Sequence, residues 1–162
     1  MKRQSTVSAR VEDVVDKKKR NTSDRPCIVL QSPAFAALKK EHQEQVGALY
    51  AQKSQLGSKK GAKLVVQREI NKKVIRWNET HQIEKNYFDL HGMSPGGAVW
   101  YAKSILAKGQ FNVLKFETGR GNHSKNGIPA IKMALKKELE MMERSRVFEE
   151  PWNQGVLVLE MW

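Results

Sequence analysis

The feature that most limits the fold is a change of hydrophobic period at Asn86. Upstream of it, apolar residues recur at three- and four-residue steps, the spacing of a helix face. Downstream, short apolar runs alternate with such steps. Residues 86–91 read as a strand, which Gly92 ends. Ser94-Pro95 then opens a helix, with serine as cap and proline at the first helical position. Ala98, Ala102, Ile105 and Leu106 form its apolar face, and Gly109 closes it. Residues 111–117 are a second strand. A polar, glycine-rich loop follows, and then a helix from Pro129 to about Met142 with Ile131, Leu135 and Leu139 inside. A short strand at 146–148 and an apolar strand at 156–161 complete the chain. A strand–helix–strand unit calls for a parallel pair with a right-handed crossover. The order βαβαββ therefore predicts a two-layer α/β sandwich over residues 86–162.

Residues 32–82 predict a helical hairpin. Ser32-Pro33 repeats the cap-plus-proline signal, and Gly57 ends the first helix. Phe35, Leu38, Val46 and Leu49 share a face, with His42 and Gln45 beside it. The second helix spans about 60–81, with Val66, Ile70, Val74 and Trp77 on one face. Two helices joined at Gly57-Ser58 are too thin to bury a core alone, so they are expected to pack on the α/β unit. Residues 57–63 fail the spacing of a phosphate-binding loop, which argues against an NTPase. Residues 1–31 lack apolar periodicity and predict a disordered basic tail. Their run Lys17-Lys18-Lys19-Arg20 suits a solvated cluster, a nuclear import signal or a nucleic-acid contact.

Charge bounds the class of partner. The 162 residues include 29 Lys and Arg against 17 Asp and Glu, a net charge of +12. Eight basic and four acidic residues fall in 1–31, ten and four in 32–80, and eleven and nine in 81–162. The excess thus lies in the first half, and such a surface suits a polyanion. The division predicts a first half that grips and a second half that does chemistry. A single cysteine, Cys27, excludes an intramolecular disulfide and a Cys-rich zinc site. No apolar run approaches the ~18 residues of a membrane helix. No apolar stretch follows Met1-Lys2-Arg3 as a secretory signal would require. A monomer without membrane contact is expected, in the cytoplasm, with the nucleus open to it through the basic run.

Two motifs carry chemistry. Asp89 and His91 end the first strand, and period two puts them on one face with Leu90 pointing into the core. A carboxylate beside an imidazole fixes the ring and raises its basicity. Such a pair suits proton transfer or metal ligation, although a pattern this short is also common as plain edge hydrogen bonding. Gly119-Arg120-Gly121 follows the second strand directly. Glycines let backbone N–H groups approach a phosphate, and arginine offers a planar fork to its oxygens. Asn122, His123, Ser124 and Lys125 extend this candidate nucleic-acid loop. Ligands gather at the carboxyl ends of parallel strands, so both motifs are expected at one edge of the sheet. Asn153-Gln154-Gly155 reads as a turn. Lys59, Lys60, Lys63, Lys72, Lys73 and Arg76 on the second helix predict affinity for nucleic acid through counterion release. Trp100, Tyr101, Trp152 and Trp162 suit base stacking or ordinary packing.

Three stretches carry a resemblance. Phe88-Asp89-Leu90-His91-Gly92-Met93, then Thr118-Gly119-Arg120-Gly121-Asn122-His123-Ser124, then Asn153-Gln154-Gly155-Val156-Leu157-Val158 resemble the Smr (small MutS-related) domain, in that order, over residues 86–162. The basic helices before it are similar to the extension that often precedes eukaryotic Smr domains. The resemblance implies a βαβαββ sandwich, nucleic-acid binding and, in many members, endonuclease activity. With this architecture the resemblance extends, among eukaryotic members, to RNA endonucleases that act on mRNA at stalled ribosomes. It implies a site at Asp89, His91, Gly119, Arg120 and Gly121. The expected function is an endonuclease on single-stranded RNA, with Asp89, His91 and Arg120 catalytic. His91 moves a proton, Asp89 holds its ring, and Arg120 with the loop amides stabilises the phosphorane. No cofactor is expected, and a divalent ion on Asp89 is less favoured because one carboxylate is a poor Mg²⁺ cage. The alternatives are a non-catalytic RNA- or ribosome-binding module and a DNA-nicking domain.

Overall fold

The computed structural model describes residues 32–121 and 125–162. The expected basic tail at 1–31 lies outside the described residues, as do Asn122, His123 and Ser124. Two helices, α1 (Pro33–Gln55) and α2 (Lys60–Thr80), come first. Then follow β1 (Tyr87–Asp89), α3 (Pro95–Leu106), β2 (Val113–Glu117), α4 (Ala130–Leu139), β3 (Ser145–Glu150) and β4 (Asn153–Met161). The caps are those the sequence signals. The Ser32 hydroxyl accepts from Phe35 N–H, and the Ser94 hydroxyl from Gly97 N–H, each at 3.1 Å.

The sheet runs β1-β2-β4-β3. β1 and β2 are parallel, as a crossover through α3 requires, and the other two pairings are antiparallel. β3 and β4 are longer than the sequence suggests. They form one hairpin, paired from Ser145↔Met161 to Glu150↔Asn153 with a bulge at Glu149/Glu150. Its turn-proximal residues are charged or amide-bearing, so they lack the apolar alternation that marks a strand.

One face of the sheet carries Phe88, Leu114, Phe116, Leu157 and Leu159. These pack in a single cluster with Ala98, Tyr101, Ala102 and Ile105 of α3 and with Leu135 and Leu139 of α4. Tyr101 meets Phe88 edge-on, at 6.1 Å and 88°. It is therefore a core residue and not a base-stacking platform, whereas Trp100, Trp152 and Trp162 are exposed. The opposite face bears Tyr87, Asp89, Lys115 and Glu117 on β1 and β2.

The hairpin shares this core. Val66, Ile70 and Val74 of α2 and Val46 of α1 belong to the same cluster. α1 seats weakly by apolar contact, since Val46 is its single buried residue and Leu38 is 44% exposed. Polar contacts supply the rest. Tyr50 donates its hydroxyl to the Gly92 carbonyl at 2.7 Å, and Lys53 donates to the Gln67 side chain at 2.6 Å.

α2 also fixes the end of β1. The buried Asn78 side chain accepts from Asp89 N–H and donates to the Asp89 carbonyl, both at 2.7 Å. Asn78→Ala leaves a buried donor and a buried acceptor without partners, at a cost of about 3 kcal/mol. Denaturant unfolding of the two proteins measures this. A loss well under 1 kcal/mol would show that the clip is dispensable.

Candidate active site

Asp89 and Glu117 are register partners in the parallel pair. The loops that leave them therefore emerge side by side, as expected for the carboxyl edge of such strands. Between them lies a cleft of about 800 Å³. The first loop lines it with His91, Gly92 and Met93, and the second with Thr118, Gly119, Arg120 and Gly121. The start of α4 closes one side. α1 forms a further wall through His42, Val46, Gly47 and Tyr50, a contribution the motifs do not announce.

The two motifs meet. A Cβ built on Gly119 would lie 3.6 Å from Cδ2 and 3.9 Å from Nε2 of the His91 ring. Asp89, however, does not grip that ring. Its Oδ1 accepts from the main-chain N–H of His91 at 2.9 Å, and its Oδ2 pairs with Lys39 Nζ at 3.2 Å. The reason is local. β1 ends at Asp89, and Met93 N–H turns back to the Leu90 carbonyl, with Gly92 at φ 87°. Leu90 points inward as expected, at 0% exposure, but His91 already lies past the strand, where period two no longer applies. A side chain at Gly92 would also touch Val46 Cγ1 at 3.0 Å, so its bareness lets α1 approach.

The second loop is held from β4. Thr118 N–H, Thr118 Oγ1 and Gly119 N–H all donate to the Gly155 carbonyl, at 2.8, 3.1 and 3.2 Å. Asn153-Gln154-Gly155 is not the expected turn: the reversal falls at Pro151-Trp152 and these three residues begin β4, where Asn153 Oδ1 accepts from Gly155 N–H and the Gly155 carbonyl clamps the loop. This corrects one expectation, because the Gly119 amide is already engaged and is no ready phosphate donor. Gly121 has no latitude. At φ 83°, a Cβ there would stand 2.7 Å from the Gly127 carbonyl oxygen and 2.9 Å from Pro129 N. Arg120 is exposed, its stem alongside Gly155. The side chain of Lys125 lies outside the described residues.

Lys39 is the residue the motifs conceal. Asp89 and Glu117 lie on one face of adjacent strands, where like charges repel. Lys39 Nζ sits between them, 3.2 Å from Asp89 Oδ2 and 3.1 Å from Glu117 Oε2. Tyr87 donates to the same Glu117 oxygen at 3.0 Å. Burial by itself would lower the Lys39 pKa, but the two carboxylates outweigh it and hold the ammonium above its ordinary value. Burial, and then Glu117, pushes the Tyr87 hydroxyl far up.

A second concealed group is His42. Its ring stacks on Trp77 at 4.6 Å and 16°, and Trp77 stacks on His81 at 4.2 Å and 14°. Burial, then the charges of Lys73, His81, Lys39 and His91, lowers its pKa from 6.5 to about 4.

The structure divides the predicted basic residues. Lys72, Lys73 and Arg76 line a groove of about 490 Å³ between α1 and α2, together with Gln45, Gln52 and Glu69. Lys59, Lys60 and Lys63 stand at the start of α2, outside that groove.

No family model matches the sequence, and no curated protein matches it. Among solved structures, the chain is similar to the one titled "Solution structure of the B3BP Smr domain". The two are 29% identical, over 62% of this chain and 97% of that one, with a TM-score of 0.43.

Two outcomes follow from the charge pattern. Lys39→Met leaves the buried Asp89 and the partly buried Glu117 carboxylates without a counter-charge and costs about 2 kcal/mol. Glu117→Gln in the same background recovers part of that loss, which a double-mutant cycle by urea unfolding reads out. His42 titrates lower in the folded chain than its ordinary 6.5. The stability it confers is therefore present above 6.5 and is lost as pH falls toward about 4. Over that window the wild-type melting temperature drops more steeply than that of His42→Phe. Parallel melting curves would assign the titration to another group.

Proposed function

We propose that this protein is a nucleic-acid-binding endonuclease that cleaves single-stranded RNA, with mRNA at stalled ribosomes as its setting. The observation that carries the reading is the approach of the His91 ring to Gly119, so close that a Cβ there would touch it, which brings two separate motifs together beside Arg120 in one cleft. The resemblance of those motifs to the Smr domain supports it. So do the net charge of +12 and the groove of Lys72, Lys73 and Arg76, on which a phosphate backbone can run.

The chemistry is metal-independent transesterification. The 2′-hydroxyl attacks the adjacent phosphorus, and His91 serves as a proton-transfer group worth about 10²–10⁴-fold. The Arg120 guanidinium meets the phosphorane oxygens as a planar fork, a contribution of about 3 kcal/mol in the transition state. Asp89 is a positioning residue, because its carboxylate holds the main chain of His91. With Oδ1 on that amide and Oδ2 on Lys39, little of it remains for a divalent ion. The same engagement favours a second reading, a non-catalytic RNA-binding module that uses the basic groove alone.

End-labelled single-stranded RNA, incubated with the full chain in EDTA or Mg²⁺, tests this. Wild type is expected to cleave in both conditions. His91→Ala and Arg120→Ala lose about 10²-fold or more in rate while still binding. Asp89→Asn loses less, since its amide oxygen still accepts from His91 N–H. Tight binding without cleavage would establish the binding module. Equal cutting of DNA, or a strict need for Mg²⁺, would overturn the 2′-hydroxyl route.

A further inference from the structure

The cleft holds two imidazoles, one of which no motif announces. His42 comes from α1 and lines the same cleft as His91, Gly119 and Arg120. Its plane is set by the stack on Trp77, which is 7% exposed and is itself backed by His81. Stacking fixes a ring through its faces and leaves the nitrogens, which lie on the edge, open to a ligand. A ring held in this way at the cleft wall has a fixed plane, which is part of the geometric demand on a proton-transfer residue.

We propose that His42 is the general base of RNA cleavage and that His91 is its general acid. The assignment rests on the RNA-cleaving reading above. His42 takes the 2′-hydroxyl proton as O2′ bonds to phosphorus. The bond from phosphorus to the 5′ oxygen breaks, and His91 supplies the proton that this oxygen needs. The products are a 2′,3′-cyclic phosphate and a 5′-hydroxyl, and water resets both rings.

The roles are ordered by charge. His42 is faced by Lys39 on its own helix, by Lys73 of α2 and His81 at its C-terminal cap, and by His91 across the cleft. Burial, together with the ammonium groups of Lys73 and Lys39, keeps its ring neutral near neutral pH. A neutral ring has a lone pair to accept a proton and none to spare, so the donor is His91. Bound RNA strengthens the base, because its phosphates offset the charges of Lys39 and Lys73. The alternative is that His42 only fills the space beside Trp77.

Leaving-group chemistry separates these roles. RNA with one 5′-bridging phosphorothiolate expels sulfur, which needs no protonation. Wild type, His42→Phe and His91→Ala are compared on the oxygen and sulfur linkages, with binding measured on a 2′-deoxy copy. Phenylalanine keeps the stack on Trp77 and removes the base, and His42→Gln serves as the second variant should the first fail to fold. His42→Phe is expected to bind like wild type and to cleave both linkages about 10²-fold or more slowly. His91→Ala is slow on oxygen and recovers on sulfur. Wild-type cleavage with His42→Phe within about threefold of it overturns the assignment alone. So does sulfur rescue of His42→Phe, or a loss of binding in place of rate. A wild-type chain that cleaves neither linkage removes the RNA-cleaving reading and the assignment with it.

Discussion

Register pairing of Asp89 with Glu117 sets two carboxylates side by side at the carboxyl edge of β1 and β2. Two like charges on neighbouring strands, partly removed from water, are unfavourable. The sheet cannot hold them there without a cation, and Lys39 of α1 supplies it to both. Much of the molecule is arranged around this ion cluster. Asn78 of α2 ties down the main chain of Asp89, and Tyr87 satisfies Glu117 from the same strand face. The two helices thus do for the sheet edge what the sheet does not do for itself, which is to neutralise it and fix where the first loop begins.

The same contacts explain how α1 stays on the protein. Its apolar seat is small: Val46 is its only fully buried residue, with Leu49 packed beside the core and Phe35 against Trp77. Lys39, Tyr50 and Lys53 each make a directed polar contact, and those of Lys39 and Tyr50 fall at the cleft, on Asp89 and Glu117 and on the Gly92 carbonyl. Docking of the helix and the shape of the cleft are therefore one event. A helix held in part by polar contacts at a site is sensitive to what binds there, since a polyanion competes for the same ammonium.

Regular periodicity made most of the fold legible. The apolar faces of α2, α3 and α4 and the parallel pairing of β1 with β2 follow from spacing and caps alone. The contact between the Asp-x-His and Gly-x-Gly loops follows from that pairing. Other features were hidden for physical reasons. The β3–β4 hairpin carries charged residues near its turn, so its length shows only in the ladder. The link from Asp89 to the His91 main chain depends on where the strand stops, which a period-two pattern does not encode. Lys39 is one of ten basic residues in 32–80, and nothing in a lysine's identity says that two carboxylates will face it. Gly155 reads as a turn residue, while its carbonyl, common to every residue type, holds the second loop.

α1 belongs to both of the regions that the charge pattern separates. α1 lines the basic groove with Gln45 and Gln52, and the cleft with His42 and Tyr50. Those residues lie on different sides of one helix, so a strand seated in the groove comes within a helix width of the cleft. His42 stands at the boundary, facing Lys73 of the groove and His91 of the cleft. Charge entering the groove is therefore felt in the cleft through His42 itself, because each cation offset there makes the imidazole more basic. One helix thus lines both the basic groove and the cleft, and on the proposed reading the charge bound in the first sets the proton affinity of His42 in the second.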